Sequence, residues 1–484
     1  MSKEIFIKIG LNFLLIISVV VYFVSKNEPT HGAFTGLLLG GVFLSITLSY
    51  VWLKIFNQNM TLISLTPIFI LGYVVVFFSF ATLRLINNEV LDQFEVFVFY
   101  DLSRIDTPLS LSTIGLISFL IGVTKRHTVK RLRKKDFSKK YRSKGSIIFI
   151  VILAYIIFGV FLMTTPTYMS GVYGVEISSL SNYLFTLFNW LLWSAIILKI
   201  FSYSKLEMKN LHFVQYVLSY GYLLLTLIAI YVLMSIYVGD RGPIISISIA
   251  IIGFFFARKK TISLTKYLII LILGATVLTV IGDARTRSSG DNFLTRVGGA
   301  AELTKTPYFA NETFLDPVIN LATSERALNH VVLQVPDLYD YHYGLNQFQY
   351  LLSVVPGLGG VFFNSVLEGD VRKQGSAMFT SYLIQDGDIK YGDGTSIISD
   401  LYLDFGWVGV ISIMFIFGRV LSRHERIIST PGQIKILPLI FLIIYFSQSL
   451  YLARSALLLE VGTVIMIYMI IKINHLILFR ENIQ

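Results

Sequence analysis

Apolar runs of about 20 residues recur along the chain, each closed by a polar cluster. At about 1.5 Å of rise per residue, one such helix covers a hydrocarbon core of about 30 Å. About twelve spans are predicted. They fall over 5–24, 33–53, 61–83, 108–123, 145–164, 178–200, 213–237, 243–257, 263–282, 399–418, 436–453 and 456–473. The first run follows Lys3, is too long for a secretory signal and precedes no small-residue cleavage site, so it reads as a retained span. The pattern predicts an all-α polytopic membrane protein. Residues 1–282 form a bundle of about nine spans, 283–397 an extracytoplasmic loop domain, and 398–484 a bundle of about three more.

Composition agrees. The chain is 55% hydrophobic and 14% charged, with a mean hydropathy of +0.70, against about 25% charged residues in soluble domains. It has no cysteine, which excludes disulfides, zinc–thiolate sites, iron–sulfur clusters and a cysteine nucleophile.

Charge then sets the orientation. Segment 125–144 carries eleven Lys/Arg and one Asp, and KIFSYSKLEMKN, Arg258-Lys259-Lys260 and GRVLSRHER are basic too. With twelve alternating spans all of these lie on one side, opposite the turn 165–177, which has no Lys or Arg. The positive-inside rule makes that side, and both termini, cytoplasmic. The net charge of +11 is therefore mostly topology, with anionic lipid rather than nucleic acid as partner.

The long outer connection 283–397 is acidic, with thirteen Asp/Glu and eight Lys/Arg. Its root nevertheless bears Arg285, Arg287 and Arg296. TSERALNHVVLQVP predicts a helix capped by Thr323 or Ser324 and ended by Pro336, with Arg326 and His330 on one face. Segment 350–363 is apolar enough to lie on the membrane or cap the bundle, and YDYHYG (339–344) crowds rings, including Tyr341 and His342, that suit a sugar face or an interface. No metal-ligand spacing is present, and the Asp residues at 386, 388 and 393 do not match a calcium loop.

The strongest chemical signal lies in VLMSIYVGDRGPIISISIAIIGFFFARKK. Two apolar runs are parted only by Gly239, Asp240, Arg241 and Gly242, and Pro243 suits the first turn of the second helix. Arg241 stands at an outward-facing helix start, which favours an anion. SLYLARSALLLE places Arg454 similarly, with Glu460 about two turns deeper. With Arg285 and Arg287, four guanidiniums are expected to converge on an outer pocket. Guanidinium binds phosphate bidentately and stays charged, so the ligand expected is a phosphate or pyrophosphate of a lipid carrier.

The stretches 321–410, GDRGPIISISIAI and LARSALLLE together resemble the polysaccharide repeat-unit polymerases of the O-antigen (Wzy) type, over roughly 40% of the chain. That family's loop ends in Gly-x-Gly-x-Ser, an acidic residue, Tyr and Asn-Phe-Gly. Here stand Gly392, Gly394, Ser396, Asp400, Tyr402 and Asp404-Phe405-Gly406, with aspartate in place of the usual glutamate and asparagine. Arg287 and Gly298 match an Arg-x10-Gly spacing found in some members.

The resemblance implies a GT-C-like membrane glycosyltransferase needing no metal or other cofactor. It implies transfer of a glycan from undecaprenyl pyrophosphate onto the non-reducing end of a new lipid-linked repeat unit, at the outer face of a bacterial inner membrane. A chain-length regulator is a further expected partner. On this reading Arg241, Arg285, Arg287 and Arg454 take the charge of the leaving pyrophosphate, and His330 or Asp400, then Asp283, Asp240 or Glu460, serves as base. Arg326, Tyr341 and His342 are expected to touch substrate. The alternatives are an O-antigen ligase, with the same donor and another acceptor, and a lipid-linked oligosaccharide flippase. A flippase would carry charges along its spans and two similar halves, and neither pattern is seen.

Overall fold

The structure, a computed structural model, describes residues 3–56, 64–86, 95–125, 144–166, 168, 178–203, 212–259, 321–355, 357–366, 375–390, 392–429 and 435–479. Among these the regular structure is helical throughout. In chain order the main helices are α1 (Lys3–Asn27), α2 (Thr35–Phe56), α3 (Leu65–Leu85), α4 (Asp106–Val123), α5 (Lys144–Thr164), α6 (Ser179–Tyr203) and α7 (Tyr222–Val238). Then comes α8, built from Gly242–Ser248 and Phe254–Lys259 around a π turn at Ile249–Gly253. The rest are α9 (Glu325–Gln334), α10 (Leu345–Leu352), α11 (Leu358–Val366), α12 (Gly375–Ile384), α13 (Ile397–Ser429), α14 (Ile436–Ser447) and α15 (Leu459–Phe479).

Eight of the described helices are long and apolar enough to cross a membrane, and the chain is a multi-pass membrane protein. Three shorter apolar helices stand where the seventh, eighth and eleventh spans were expected. The ninth expected span, Asp283, Arg285, Arg287 and Arg296 lie outside the described residues.

Helix α4 is the axis of the bundle, packed by α1, α2, α3 and most extensively by α13. Its sequence explains this position. Thr107, Ser110, Ser112, Thr113, Gly115, Ser118 and Gly122 keep its surface narrow, so neighbouring backbones come close. Gly122 faces the backbone of Phe415 and Arg419, and Gly418 faces that of Phe119. The buried hydroxyls of Ser112 and Thr113 donate to the carbonyls of Pro108 and Leu109, at 3.0 and 2.8 Å, which meets their hydrogen-bonding need without a partner helix.

The sequence set Asp106 just before its span, and the structure buries it completely. Its carboxylate accepts hydrogen bonds from the Thr30 and Thr35 hydroxyls at 2.8 and 2.9 Å and from the Phe34 N–H at 3.1 Å. The α1–α2 turn is thereby fixed on the start of α4. At the other end of α4, Ser422 of α13 donates to the Val123 carbonyl at 3.1 Å. Near it, Glu425 accepts the Thr66 N–H and hydroxyl at 2.8 and 2.6 Å and so caps α3. Asn474 of α15 donates to the Ser146 carbonyl at 3.1 Å. Val123 and Ser146 flank the basic segment 125–144, so the ends of α4, α13 and α15 gather on one side, where that segment leaves and re-enters the bundle.

On the opposite side a helical layer rests on the bundle. The helix expected around 323–335 is α9; Ser324 stands at its N-cap without a side-chain cap hydrogen bond, and the Arg326 N–H donates to the Thr323 carbonyl at 3.1 Å. The first turns of α13 carry Asp400 and Asp404, four apart and on one face toward α10. Asp404 accepts the Asn346 and Gln347 N–H groups at 3.2 and 3.0 Å, at the positive end of α10. Asp400 accepts from the Gln347 side chain at 2.6 Å and the Tyr350 hydroxyl at 3.1 Å. Gly406 then leaves helical geometry at φ 63° and ψ −163°, so α13 is two helices joined at a kink. That backbone region is essentially closed to side chains with a Cβ.

Candidate functional site

The GDRG turn starts from α7. Gly239 adopts a left-handed conformation at φ 84°, and the Asp240 N–H returns to the Ser235 carbonyl at 2.8 Å, closing the helix. The Asp240 carboxylate accepts the Gly242 N–H at 3.0 Å and so caps the next helix, with Pro243 in its first turn. The anion expected at this helix start is thus first of all Asp240 itself. That leaves Arg241, half-buried, as the cationic side chain of the turn.

The second arginine turn follows α14. That helix has twelve residues and ends at Ser447, about 18 Å long, well short of a bilayer core. The chain folds back early, through the Tyr451 and Leu452 N–H groups to the Gln448 carbonyl, both at 2.8 Å. A single 3₁₀ turn, Leu452–Arg454, follows. Leu452 and Ala453 are buried, Arg454 is exposed, and the Tyr445 hydroxyl holds the Leu457 carbonyl at 2.9 Å.

Both turns act electrostatically on Tyr451. Burial raises its phenol pKa, while the charges of Arg241 and Arg454 pull it down and Asp240 pushes it up. Two arginines far apart in the sequence thus act on one hydroxyl. Asp240 also acts on Tyr168, whose phenol is raised to about 12 chiefly by burial. A cavity of about 250 Å³ opens here, lined by Gln448, Tyr451, Leu452, Arg454, Ser455, Leu459 and Glu460. Guanidinium, phenol, carboxamide and hydroxyl donors around a small cavity suit a compact anion. Glu460 adds one carboxyl group at the first turn of α15.

Arg326 and His330 form a separate group on α9. Arg326 pairs with Asp393 at 3.0 Å and lies over the Phe97 ring at 4.0 Å. Asp393 also accepts from Gln385 at 2.8 Å, and its own N–H donates to Ser381 at 2.9 Å. The Gly-Asp-Gly segment is thereby latched to α9 and α12. The His330 ring packs on Tyr100 at 5.1 Å and approaches Gln334 at 3.4 Å. Burial and the Arg326 charge lower its pKa to about 4, against smaller opposing effects from Asp386 and the Leu383 backbone. It is a neutral, weak base at physiological pH.

Asp400, Tyr341 and His342 form a third group. Asp400 is fully enclosed by the contacts to α10 described above. His342 is buried against Phe379 at 4.5 Å, with Nδ1 3.1 Å from Asn346 Oδ1. Tyr341 packs on Tyr402 at 5.7 Å. Tyr341 and His342 are therefore engaged in packing the layer together, while Tyr343 is exposed. Of the residues expected at the site, Arg454 and Glu460 line one cavity, and Arg241 and Asp240 act on Tyr451 of its lining.

Sequence reasoning missed three features. Tyr451 was legible only as a neighbour of Arg454. Tyr402 is a hub: its hydroxyl donates to the Val335 carbonyl at 3.0 Å and accepts from Lys26 at 3.2 Å, with the Tyr22 hydroxyl at 3.0 Å. Glu325 is buried with no hydrogen-bond partner for Oε2, and burial raises its pKa well above the usual carboxylate range. No cluster of His, Asp or Glu able to hold a metal ion occurs among the described residues. No family model matches the chain, and no curated protein or solved structure matches it either.

Proposed function

We propose that the chain is a polysaccharide repeat-unit polymerase. It transfers a growing glycan from undecaprenyl pyrophosphate to the non-reducing end of a new lipid-linked repeat unit, at the outer face of a bacterial cytoplasmic membrane. The full architecture on this reading is GT-C-like with about twelve spans. The observation that carries the proposal is the cavity lined by Tyr451, Arg454 and Glu460, with the charge of Arg241 acting on the same Tyr451.

The acceptor hydroxyl attacks the anomeric carbon of the donor. The bond from that carbon to the diphosphate oxygen breaks, and its electron pair leaves on the phosphate. The hydroxyl proton passes to a base. Negative charge therefore grows on the diphosphate, and Arg241 and Arg454, joined in this proposal by Arg285 and Arg287, stabilise it. A hydrogen bond to a charged group is worth about 1.5–3 kcal/mol. Two that strengthen by about 2 kcal/mol each in the transition state give about a thousandfold in rate. Orientation of the two substrates and the base supply the rest. Glu460 lines the same cavity and is the nearest candidate for the base, whereas His330 and Asp400 are held in the separate groups described above.

The test is chain length in cells. Arg241→Ala, present in the membrane at normal level, should leave surface glycan with a single repeat unit. Normal polymer in that variant contradicts the proposal. Polymer retained on the lipid carrier would identify a ligase instead.

A further inference from the structure

Helices α10 and α11 form a hairpin whose segment, 345–366, contains no charged residue. One side of α10 is bound to protein through Asn346, Gln347 and Tyr350, which meet the carboxylates of α13. The other side is bare: Phe348, Leu351 and Val355 are exposed, and across the turn so are Leu358, Phe362 and Val361, the last at 69%. The Phe348 and Phe362 rings meet edge to face at 5.5 Å, so both helices present one shared surface. Leaving large apolar side chains in water is unfavourable in proportion to their exposed area. A contiguous patch of six facing water would be a heavy penalty, and such a patch marks an interface.

The hairpin's position identifies what covers it. Val354 packs on Gly462, in the first turns of α15, at 3.7 Å from the position a Cβ would take there. Gly357 stands beside the Tyr183 hydroxyl, near the start of α6, at 3.7 Å by the same measure. At those same ends Leu180 and Tyr183 of α6 and Leu459 of α15 are exposed. Helices α6 and α15 are long and apolar enough to cross the membrane, so their outward side chains meet acyl chains. The bare face of the hairpin continues that belt. Because its polar side is satisfied by protein, it needs no water-facing charged side of the kind surface-bound amphipathic helices carry.

We propose that the α10–α11 hairpin is embedded in the lipid leaflet on the side of the arginine turns, a shoulder between α6 and α15 covered by bilayer acyl chains. It stands beside Leu459 and Glu460, which line the cavity. This holds whatever reaction that cavity serves.

The chain's lack of cysteine makes the test direct. Val355→Cys and Val361→Cys, each spin-labelled in the full chain in nanodiscs, are compared by power saturation with oxygen and a water-soluble nickel chelate. Ile156→Cys on the exposed face of α5 is the lipid reference, and Lys390→Cys in the exposed loop is the water reference. The oxygen-to-nickel ratio at 355 and 361 should be several-fold above that at 390 and match that at 156. A ratio equal to that at 390 overturns the proposal. So does exclusion of both agents, which would mean that protein covers the face.

Discussion

Leu450 turns its carbonyl oxygen onto Gly72 in α3, so closely that a Cβ at position 72 would stand 2.5 Å from it. This contact seats the turn carrying Tyr451 and Arg454 against the bundle. Gly72→Ala must push that turn outward, because the obstacle is backbone and cannot rotate away. Overpacking of this kind costs about 1–3 kcal/mol. The variant should lower the thermal midpoint in detergent and shorten the surface glycan. Gly40→Ala, which meets nothing within 4 Å, should be neutral in both assays.

The kink at Gly406 positions the helical layer. Alanine there would have to hold φ 63° and ψ −163°, with the Tyr341 hydroxyl 3.2 Å from its Cβ. Strain of this type costs about 1–3 kcal/mol. Release of the kink should draw Asp404 away from α10. Hydrogen exchange at the Asn346 and Gln347 amides should then rise in Gly406→Ala more than at amides of α4.

His330 makes stability depend on pH. Its folded pKa of about 4 lies below the ordinary 6.5, so the unfolded chain binds the proton more readily. The stability held at neutral pH is lost as pH falls from about 6.5 to about 4, by about 3 kcal/mol over the whole window. Thermal midpoints measured between pH 7 and pH 4 should fall more steeply for the wild type than for His330→Gln.

Glu325 acts in the opposite sense. Its folded pKa is raised by burial, so the folded chain holds the proton to higher pH than the unfolded chain does. Stability is present below the ordinary carboxylate range and lost as pH rises. Glu325→Gln should therefore raise the thermal midpoint at pH 7 relative to wild type, and the advantage should shrink toward pH 4.

The spans were legible because hydropathy over 20 residues is a strong signal, as α1, α2, α5 and α6 show. Helix α14 was not. Residues 436–453 are apolar almost without break, so nothing in their pattern marks the fold-back at Gln448 except the short polar run Ser447, Gln448 and Ser449. Gly239 and Pro243 announced the first arginine turn through backbone conformation. That Asp240 would cap the following helix was not legible, since a carboxylate beside an arginine reads equally as an ion pair. Asp400 and Asp404 stood out as acidic groups in an apolar setting. Their use in holding α10 depends on a contact across more than fifty residues, which sequence spacing alone does not contain.

A double-mutant cycle on ligand binding tests most directly whether Arg241 and Arg454 grip one diphosphate, as proposed. Undecaprenyl pyrophosphate binding is measured for the full chain in nanodiscs, for Arg241→Ala, Arg454→Ala and both together. Each single change should weaken binding about tenfold or more, and the double variant should depart from the sum of the two by more than about 0.5 kcal/mol. Strictly additive losses, or wild-type affinity in either single variant, would contradict a shared site.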